Sequence, residues 1–313
     1  MENSNYSIIA IVGPTAVGKT AVAIELVSLI GGEIISIDSM AVYKYMNIGT
    51  AKPDENELKQ AVFHLIDIVE PQQQFSVGDF QRLAQSAISS VSKTNPPAIV
   101  VGGSGLYVRA ALDGLDEGLP EADIEYRNKI KQMASENGNE HVHDLLKKVD
   151  PVSAEKIDSR NLKRVIRALE IHYLTGIAAS KHFERDSKRL KNIPEPLIIG
   201  LGMNRELLYK RINERVDLMI DMGLVDEVRN LVEKGISTNA TSMQAIGYKE
   251  IVEYLSGQCG LDCAIELIKK NTRRYAKRQF TWFRADKRIK WIDTDNICPN
   301  KIVNKIKEII ADE

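Results

Sequence analysis

The 313-residue chain is poor in cysteine: it has three, Cys259, Cys263 and Cys298, and none belongs to a Cys-x-x-Cys pair. An odd count without paired spacing excludes a disulfide framework and offers no zinc-ligand pattern. We therefore expect free thiols in a reducing cytosol, a cytoplasmic protein and no bound zinc.

Long apolar runs and an excess of one charge are also missing. No segment approaches the ~20 apolar residues of a transmembrane helix, and the N-terminal residues lack a basic and apolar secretory signal. We therefore expect no membrane association. Lys and Arg total 42 against 43 Asp and Glu, a formal net charge of -1. A globally basic surface is thereby excluded, and any nucleic-acid site must be a local patch.

Short β-branched segments alternate with helical segments in the first third of the chain. The predicted strands are Ser7–Val12, Glu33–Ile37 and Ala98–Val101. Helices are predicted over Lys19–Ile30 and from a capping box at Ser76–Asp79 to about Val91. This alternation predicts an α/β fold with a doubly wound, mainly parallel sheet.

The composition changes in the middle of the chain. Residues 116–192 are charged, helix-prone and poor in strand signals, which predicts a helical insertion domain. Residues 1–115 and 193–313 would form the catalytic core, because strand patterns return at Ile193–Met203 and Ile289–Asp293. The rest of the final third is helical in its pattern, and we expect a monomer.

A glycine-rich loop lies between the first predicted strand and helix. Its sequence GPTAVGKT matches G-x-x-x-x-G-K-[ST], the P-loop motif. Backbone N–H groups, the helix dipole and the Lys19 charge would bind a di- or triphosphate, and the Thr20 hydroxyl would ligate Mg²⁺, the expected cofactor. The predicted phosphate-binding residues are Gly13, Pro14, Thr15, Ala16, Val17, Gly18, Lys19 and Thr20.

The strand ends carry few acidic residues. An ATPase or GTPase usually has an Asp at the end of a neighbouring strand, but Ala98–Val101 runs into two glycines and Ser104. Asp38 follows Glu33–Ile37 instead, where it is either a helix cap or metal contact, or a base that orients a nucleophile. Ser104 is either a turn residue or a polar contact to substrate.

Two stretches concentrate basic residues at helical spacing, which favours contacts with RNA phosphates. The first contains Arg160, Lys163, Arg164 and Arg167; the second contains Lys270, Arg273, Arg274, Lys277, Arg278 and Arg284. Aromatic residues interleave with the second stretch, and we interpret them as core rather than as base-stacking platforms.

An ordered set of segments resembles the tRNA dimethylallyltransferases, also called tRNA isopentenyltransferases. The P-loop alone is shared by many unrelated enzymes, whereas this set is specific and spans most of the chain. The matching segments are Gly13–Thr20, Asp38–Ser39, Val42–Lys44, Ile48–Pro53, His64–Asp67, Val101–Tyr107, Arg164–Glu170, Met243–Glu250 and Arg273–Arg284.

The resemblance implies a transferase that uses dimethylallyl diphosphate rather than ATP. The P-loop would bind the diphosphate at one end of a channel, and a flipped adenine of the tRNA anticodon loop would enter at the other. The acceptor would be N6 of the adenosine immediately 3′ of the anticodon, and pyrophosphate would be released. Asp38 matches the family's catalytic acid, Ser104 matches a hydroxyl position that is commonly Thr, and Lys19 would stabilise the leaving group.

The predicted tRNA-binding residues combine the family motifs with the basic stretches. They are Asp38, Ser39, Met40, Ala41, Ser104, Arg127, Lys163, Arg164, Val165, Ile166, Arg167, Gln244, Arg273, Arg274, Lys277, Arg278 and Arg284. Met40 and Ala41 depart from the family, because many relatives carry polar side chains there. Arg211 and Arg215 lie four residues apart, so they form either a solvated salt-bridge face or a pyrophosphate clamp.

Two other functions remain open at this point. One is an ATP-dependent small-molecule kinase of the P-loop class, which would need a nucleobase pocket and a second catalytic anion site. The other is a non-catalytic, nucleotide-regulated RNA-binding protein.

Overall fold

The computed structural model describes residues 6–115, 119–186 and 194–311. Its strands are β1 (Ile8–Val12), β2 (Glu33–Ile37), β3 (Phe63–His64), β4 (Ala98–Gly102), β5 (Leu197–Gly202) and β6 (Lys290–Asp293). Its α-helices are α1 (Lys19–Ile30), α2 (Glu55–Gln60), α3 (Val77–Thr94), α4 (Gly105–Leu112), α5 (Ile124–Val149), α6 (Pro151–Lys156), α7 (Leu162–Thr175), α8 (Ala179–Asp186), α9 (Arg205–Asp221), α10 (Leu224–Glu233), α11 (Tyr248–Leu255), α12 (Leu261–Arg284) and α13 (Pro299–Ala311).

The strands form one six-stranded sheet in the order β3-β2-β4-β1-β5-β6. Every neighbouring pair is parallel. The carboxyl ends of β1, β2 and β4 therefore lie at the same edge of the sheet, where open α/β sheets bind their ligands.

Apolar residues on alternate positions of the central strands serve two separate cores. In β1, Ile8, Ala10 and Val12 face one cluster with α3, while Ile9 and Ile11 face a second cluster with α1 and α13. Side chains alternate between the faces of a strand, so a strand covered on both sides is apolar throughout. The doubly wound α/β prediction is confirmed.

The capping box at the start of α3 is present as predicted. The Ser76 hydroxyl accepts a hydrogen bond from the Asp79 N–H at 3.1 Å, and Asp79 accepts one from the Ser76 N–H at 3.0 Å. The helix continues to Thr94, three residues beyond its predicted end. The short strand β3 was not predicted, because two residues carry no recognisable alternation.

The chain divides into two compact units, Met1–Asp113 with Ile193–Glu313, and Gly114–Asn192. The predicted boundaries were 115/116 and 192/193, of which residues 116, 192 and 193 lie outside the described residues. In the second unit, the described part contains α5 to α8 and no strand. It has its own apolar cluster, built mainly from α5 and α7.

No helix among residues 6–115, 119–186 and 194–311 is long and apolar enough to span a lipid bilayer.

Candidate active site

The loop between β1 and α1 has the backbone that its glycines allow. Gly13 has φ +149°, and a Cβ at this position would lie 2.6 Å from the carbonyl oxygen of Leu201 in β5. Gly18 has φ +99° and immediately precedes α1. Gly13 is favoured because a side chain would have no space there, and Gly18 is favoured because its backbone is in the left-handed region. The loop thus leads into the N-terminus of α1, where free backbone N–H groups favour an anion.

Lys19 lies at the first position of α1 and folds back over the loop. Its ammonium donates a hydrogen bond to the carbonyl oxygen of Pro14 at 2.7 Å. Burial lowers the pKa of Lys19 to about 7, with the positive charge of Arg215 acting in the same direction, while the carboxylate of Asp38 opposes the shift. An anion bound beside Lys19 would raise this pKa and favour the charged form of the lysine.

A cavity of about 320 Å³ opens beside the loop at the carboxyl ends of the strands. It brings together the P-loop, the segment after β2, and helices α9 and α12. Eight of the predicted site residues line it: Thr15, Ala16, Asp38, Ser39, Met40, Arg215, Gln244 and Arg278. Its volume is at the lower end of the range for small-molecule sites.

The carboxylate of Asp38 is held by the segment that follows it. Its Oδ1 accepts hydrogen bonds from the backbone N–H of Met40 at 2.8 Å and of Ala41 at 3.3 Å. Asp38 thus caps a turn, as one of the two sequence interpretations stated, and it also lines the cavity. Within the described part of the chain, no hydrogen bond occupies Oδ2. That oxygen can accept a hydrogen bond from a group in the cavity.

Ser104 is nearly buried, at 9% exposure, and precedes α4. Its hydroxyl lies 3.2 Å from the phenol oxygen of Tyr275 in α12. Burial raises the pKa of Tyr275 and the nearby Asp38 raises it further, so the phenol stays protonated and available as a donor. The sequence pattern predicted that this tyrosine belongs to the core, whereas it lines the cavity.

The two arginines of α9 are placed differently. Arg215 lines the cavity, and burial lowers its pKa while the charge of Asp38 opposes that shift. Arg211, one turn earlier, is half-buried and is not part of the cavity wall. The geometry favours Arg215 over Arg211 as a group that faces a bound anion.

Comparison with known proteins identifies a family model and close relatives of this chain. A family model described as IPP transferase matches residues 41–286 of the chain. The chain is 50% identical over 299 residues to the tRNA dimethylallyltransferase of Carboxydothermus hydrogenoformans, covering 96% of each chain. It is 47% identical over 308 residues to that of Acetivibrio thermocellus, covering 97% of each.

The chain belongs to the IPP transferase family. The family model begins after the P-loop and Asp38, but the alignments with the two full-length relatives cover nearly the whole chain.

Solved structures of IPP transferases have the same fold. The crystal structure of tRNA isopentenylpyrophosphate transferase from Bacillus halodurans has a TM-score of 0.71 at 42% identity, covering 98% of this chain and 96% of that one. A eukaryotic dimethylallyltransferase, described in crystallographic snapshots as acting on tRNA, has a TM-score of 0.78 at 26% identity. That comparison covers 99% of this chain and 80% of the eukaryotic one.

Two segments that carry the family resemblance form neighbouring parts of the cavity wall. Glu227 of α10 accepts backbone hydrogen bonds from Asn47, Ile48 and Gly49 at 2.8 to 3.3 Å. It also accepts one from the hydroxyl of buried Tyr248 at 2.6 Å. The carboxylate of Glu227 thus connects residues 47–49 with Tyr248. The cavity is lined by Gly49 and Thr50 on one side of this connection and by Gly247 on the other. No motif in the sequence pointed to Glu227.

The basic residues of α12 divide into exposed and internally bonded groups. Arg274, Lys277, Arg278 and Arg284 are exposed. Arg273 instead donates a hydrogen bond to the side chain of Asn213 in α9 at 2.6 Å. Arg274, Lys277 and Arg284 present positive charge to solvent, Arg278 also lines the cavity, and Arg273 joins two helices.

In the helical unit, two predicted RNA-binding arginines bind a buried carboxylate. Glu170 has a fully buried side chain and receives two hydrogen bonds from Arg127, each at 2.7 Å. Arg167 also donates to Glu170, and to the carbonyl oxygen of Pro120 at 2.9 Å. These arginines have a structural role whether or not they contact RNA.

Some of the residues predicted to contact tRNA are buried. Val165 and Ile166 are 0% and 4% exposed within the core of the helical unit, and Ala41 is 5% exposed in the sheet-bearing unit. On helix α7, the predicted contact residues with exposed surface are therefore Lys163 and Arg164, together with Arg167, whose side chain is 32% exposed.

Proposed function

We propose that this chain transfers the dimethylallyl group of dimethylallyl diphosphate to N6 of the adenosine immediately 3′ of a tRNA anticodon. The observation that carries the proposal is the shared cavity, in which P-loop residues Thr15 and Ala16 and the carboxylate of Asp38 line the same walls. The names of the relatives support the same donor group and the same acceptor class.

The reaction replaces a C–O bond to pyrophosphate by a C–N bond to adenine. The exocyclic amine is a weak nucleophile, because its lone pair is delocalised into the ring. The allylic carbon tolerates positive charge, so the protein must chiefly stabilise the negative charge of the leaving group. The P-loop backbone, Lys19 and Arg215 would provide that stabilisation. Asp38 would accept the N6 proton through the carboxylate oxygen that holds no other hydrogen bond.

Tyr275 would complete the polar lining of the cavity on the side of α12, and the Ser104 hydroxyl would orient the Tyr275 hydroxyl. Their hydroxyl groups lie 3.2 Å apart, so one donates to the other and leaves a hydroxyl hydrogen or lone pair for substrate. Ser104 retains the hydroxyl of the Thr that is common in the family.

Mg²⁺ fits the donor chemistry of the site. Thr20 supplies a hydroxyl oxygen, the type of ligand that this ion prefers, and phosphate oxygens and water would complete its coordination. No cluster of three or more His, Cys, Asp or Glu able to hold a metal occurs in the described ranges, so a cage built from protein alone is not expected there. A bound Mg²⁺ would add positive charge against the departing pyrophosphate.

RNA binding would use the exposed basic side chains of α12 and, in the helical unit, Lys163 and Arg164. The target base must leave its stack to bring N6 to the reacting carbon, and an anticodon-loop base is partly free already. The monomeric state and the cytoplasmic location stay predictions.

A transfer assay tests the proposal. Radiolabelled dimethylallyl diphosphate and unmodified tRNA are incubated with the wild-type protein and with Asp38→Asn, and the nucleosides are analysed by mass spectrometry. We expect N6-dimethylallyladenosine with the wild type and a loss of kcat of about 10²–10⁴-fold in the variant. Label transfer at an undiminished rate in Asp38→Asn would refute the role of Asp38. Phosphoryl transfer from ATP without prenylation would support the kinase alternative.

A further inference from the structure

Helix α12 contains a buried polar residue for which the proposed chemistry has no use. Gln279 is 5% exposed, although Lys277 and Arg278 beside it are exposed. Gln279 lies one turn after Tyr275, so the two side chains share a face of the helix, and Tyr275 lines the cavity. A buried amide is costly unless its polar atoms are hydrogen-bonded.

Both ends of the Gln279 amide are hydrogen-bonded to backbone near the site. Oε1 accepts from the N–H of Thr15 at 2.9 Å, and Nε2 donates to the carbonyl oxygen of Gly103 at 2.8 Å. Thr15 belongs to the P-loop, and Gly103 directly precedes Ser104. One side chain thus connects the loop after β1 with the segment after β4.

The residues around the Gln279 amide are closely packed. A Cβ at Gly103 would lie 2.5 Å from Gln279 Nε2 and 3.1 Å from the carbonyl oxygen of Gly13. The P-loop, the segment after β4 and α12 therefore meet where only a glycine fits. A side chain at residue 103 would have to displace the Gln279 amide, which is hydrogen-bonded to the P-loop.

We infer that Gln279 is a positioning residue, which holds the P-loop in its anion-binding form and sets its distance from Ser104. It acts through Thr15 and Gly103, its side chain also interacts with the hydroxyl of Tyr275, and it does not itself line the cavity. A methionine of similar length would leave the Thr15 N–H and the Gly103 carbonyl without partners in a buried setting, and the loop would relax. An effect of Gln279 on the rate of prenyl transfer rests on the proposed function, whereas its effect on anion binding does not.

Two variants and one control test the inference. Gln279→Met removes both hydrogen bonds. Gln279→Glu keeps an acceptor for Thr15 but sets a carboxylate oxygen against the Gly103 carbonyl. The control is Phe283→Leu, which trims a buried apolar side chain of the same helix, 2% exposed, without touching a polar contact.

The first readout is the Kd for inorganic pyrophosphate, measured by calorimetry below the Tm of each protein. We expect Gln279→Met to weaken binding by roughly ten- to hundredfold, as losing buried hydrogen bonds implies, and Phe283→Leu to stay within about twofold. The Kd for tRNA should change by less than about twofold in both, since the basic face of α12 is untouched. An unchanged pyrophosphate Kd in Gln279→Met, or an equal rise in the control, would overturn the inference.

The second readout is amide hydrogen exchange at Thr15, and its first measurement needs only the wild type. In the wild type this amide should be protected, and in Gln279→Glu it should stay more protected than in Gln279→Met. Rapid exchange in the wild type would refute the bond on which the inference depends. Absence of prenyl transfer by the wild type would refute the proposed function alone, because pyrophosphate binding and exchange are measured without it.

Discussion

Replacing Lys19 by arginine keeps the positive charge of the P-loop but removes the group that titrates near neutral pH. Arginine remains charged at any accessible pH, whereas burial and the charge of Arg215 lower the pKa of Lys19 to about 7. Binding of pyrophosphate brings negative charge to the lysine and raises its pKa. The wild type should therefore take up a proton when it binds pyrophosphate above pH 7, and Lys19→Arg should not.

The magnitude follows from the distance between pH and pKa. At pH 8, one unit above the pKa of the free enzyme, about a tenth of Lys19 is charged, so binding should take up nearly one proton. The complex holds more protons than the free protein above pH 7, so affinity falls as pH rises. The contribution of Lys19 is a loss of about tenfold in affinity per pH unit until the pKa of the complex is reached.

Calorimetry in two buffers of different ionisation enthalpy measures this uptake directly. Pyrophosphate itself titrates in the same range, and the Lys19→Arg variant corrects for it because its ligand is identical. The difference in proton uptake between wild type and variant at pH 8 should approach one. Equal uptake in the two proteins would refute the claim that Lys19 is largely neutral in the free enzyme.

Three further predictions concern the RNA face, the cavity wall and the helical unit. Replacing Arg274 and Lys277 by glutamine should reduce the slope of log K for tRNA binding against log salt concentration by about 0.9 for each phosphate contact that is lost. Replacing the exposed Lys305 and Lys307 of α13 by glutamine should leave that slope unchanged. Glu227→Ala should lower the free energy of unfolding by about 2 kcal/mol, measured by urea titration, because three backbone N–H groups lose their acceptor. Burial raises the pKa of Glu170, but hydrogen bonds from the flanking arginines outweigh burial and hold the pKa below the ordinary 4.5. The contribution of Glu170 to the free energy of unfolding is therefore present above that pH and is lost on acidification. Glu170→Gln should abolish this pH-dependent loss in an acid titration followed by circular dichroism.

Local patterns predicted the parts of this protein that depend on local physics. β1, β2 and β4 are apolar runs because both faces of the sheet are covered, and the P-loop is a contiguous motif. The placement of Asp38 at the site followed from the rule that parallel strands present their carboxyl ends at one edge. These elements needed no information about distant segments.

The residues that escaped prediction act over long distances in the chain. Gln279 and its partner Thr15 are 264 positions apart, and Glu227 lies 180 positions from Asn47. Nothing in the local sequence marks a helical Gln or Glu as hydrogen-bonded to a distant loop. The family resemblance placed Arg127 among the RNA contacts, and helical spacing placed Arg167 there. Neither could show that Glu170 is buried against both arginines.

The most direct test of the central claim is a crystal structure with a non-hydrolysable dimethylallyl diphosphate analogue and an anticodon stem-loop. We predict the diphosphate against the P-loop N–H groups and Lys19, with adenine N6 within hydrogen-bond distance of the Asp38 carboxylate. A purine bound away from Asp38, or a nucleoside triphosphate as the preferred occupant of the P-loop, would contradict the account.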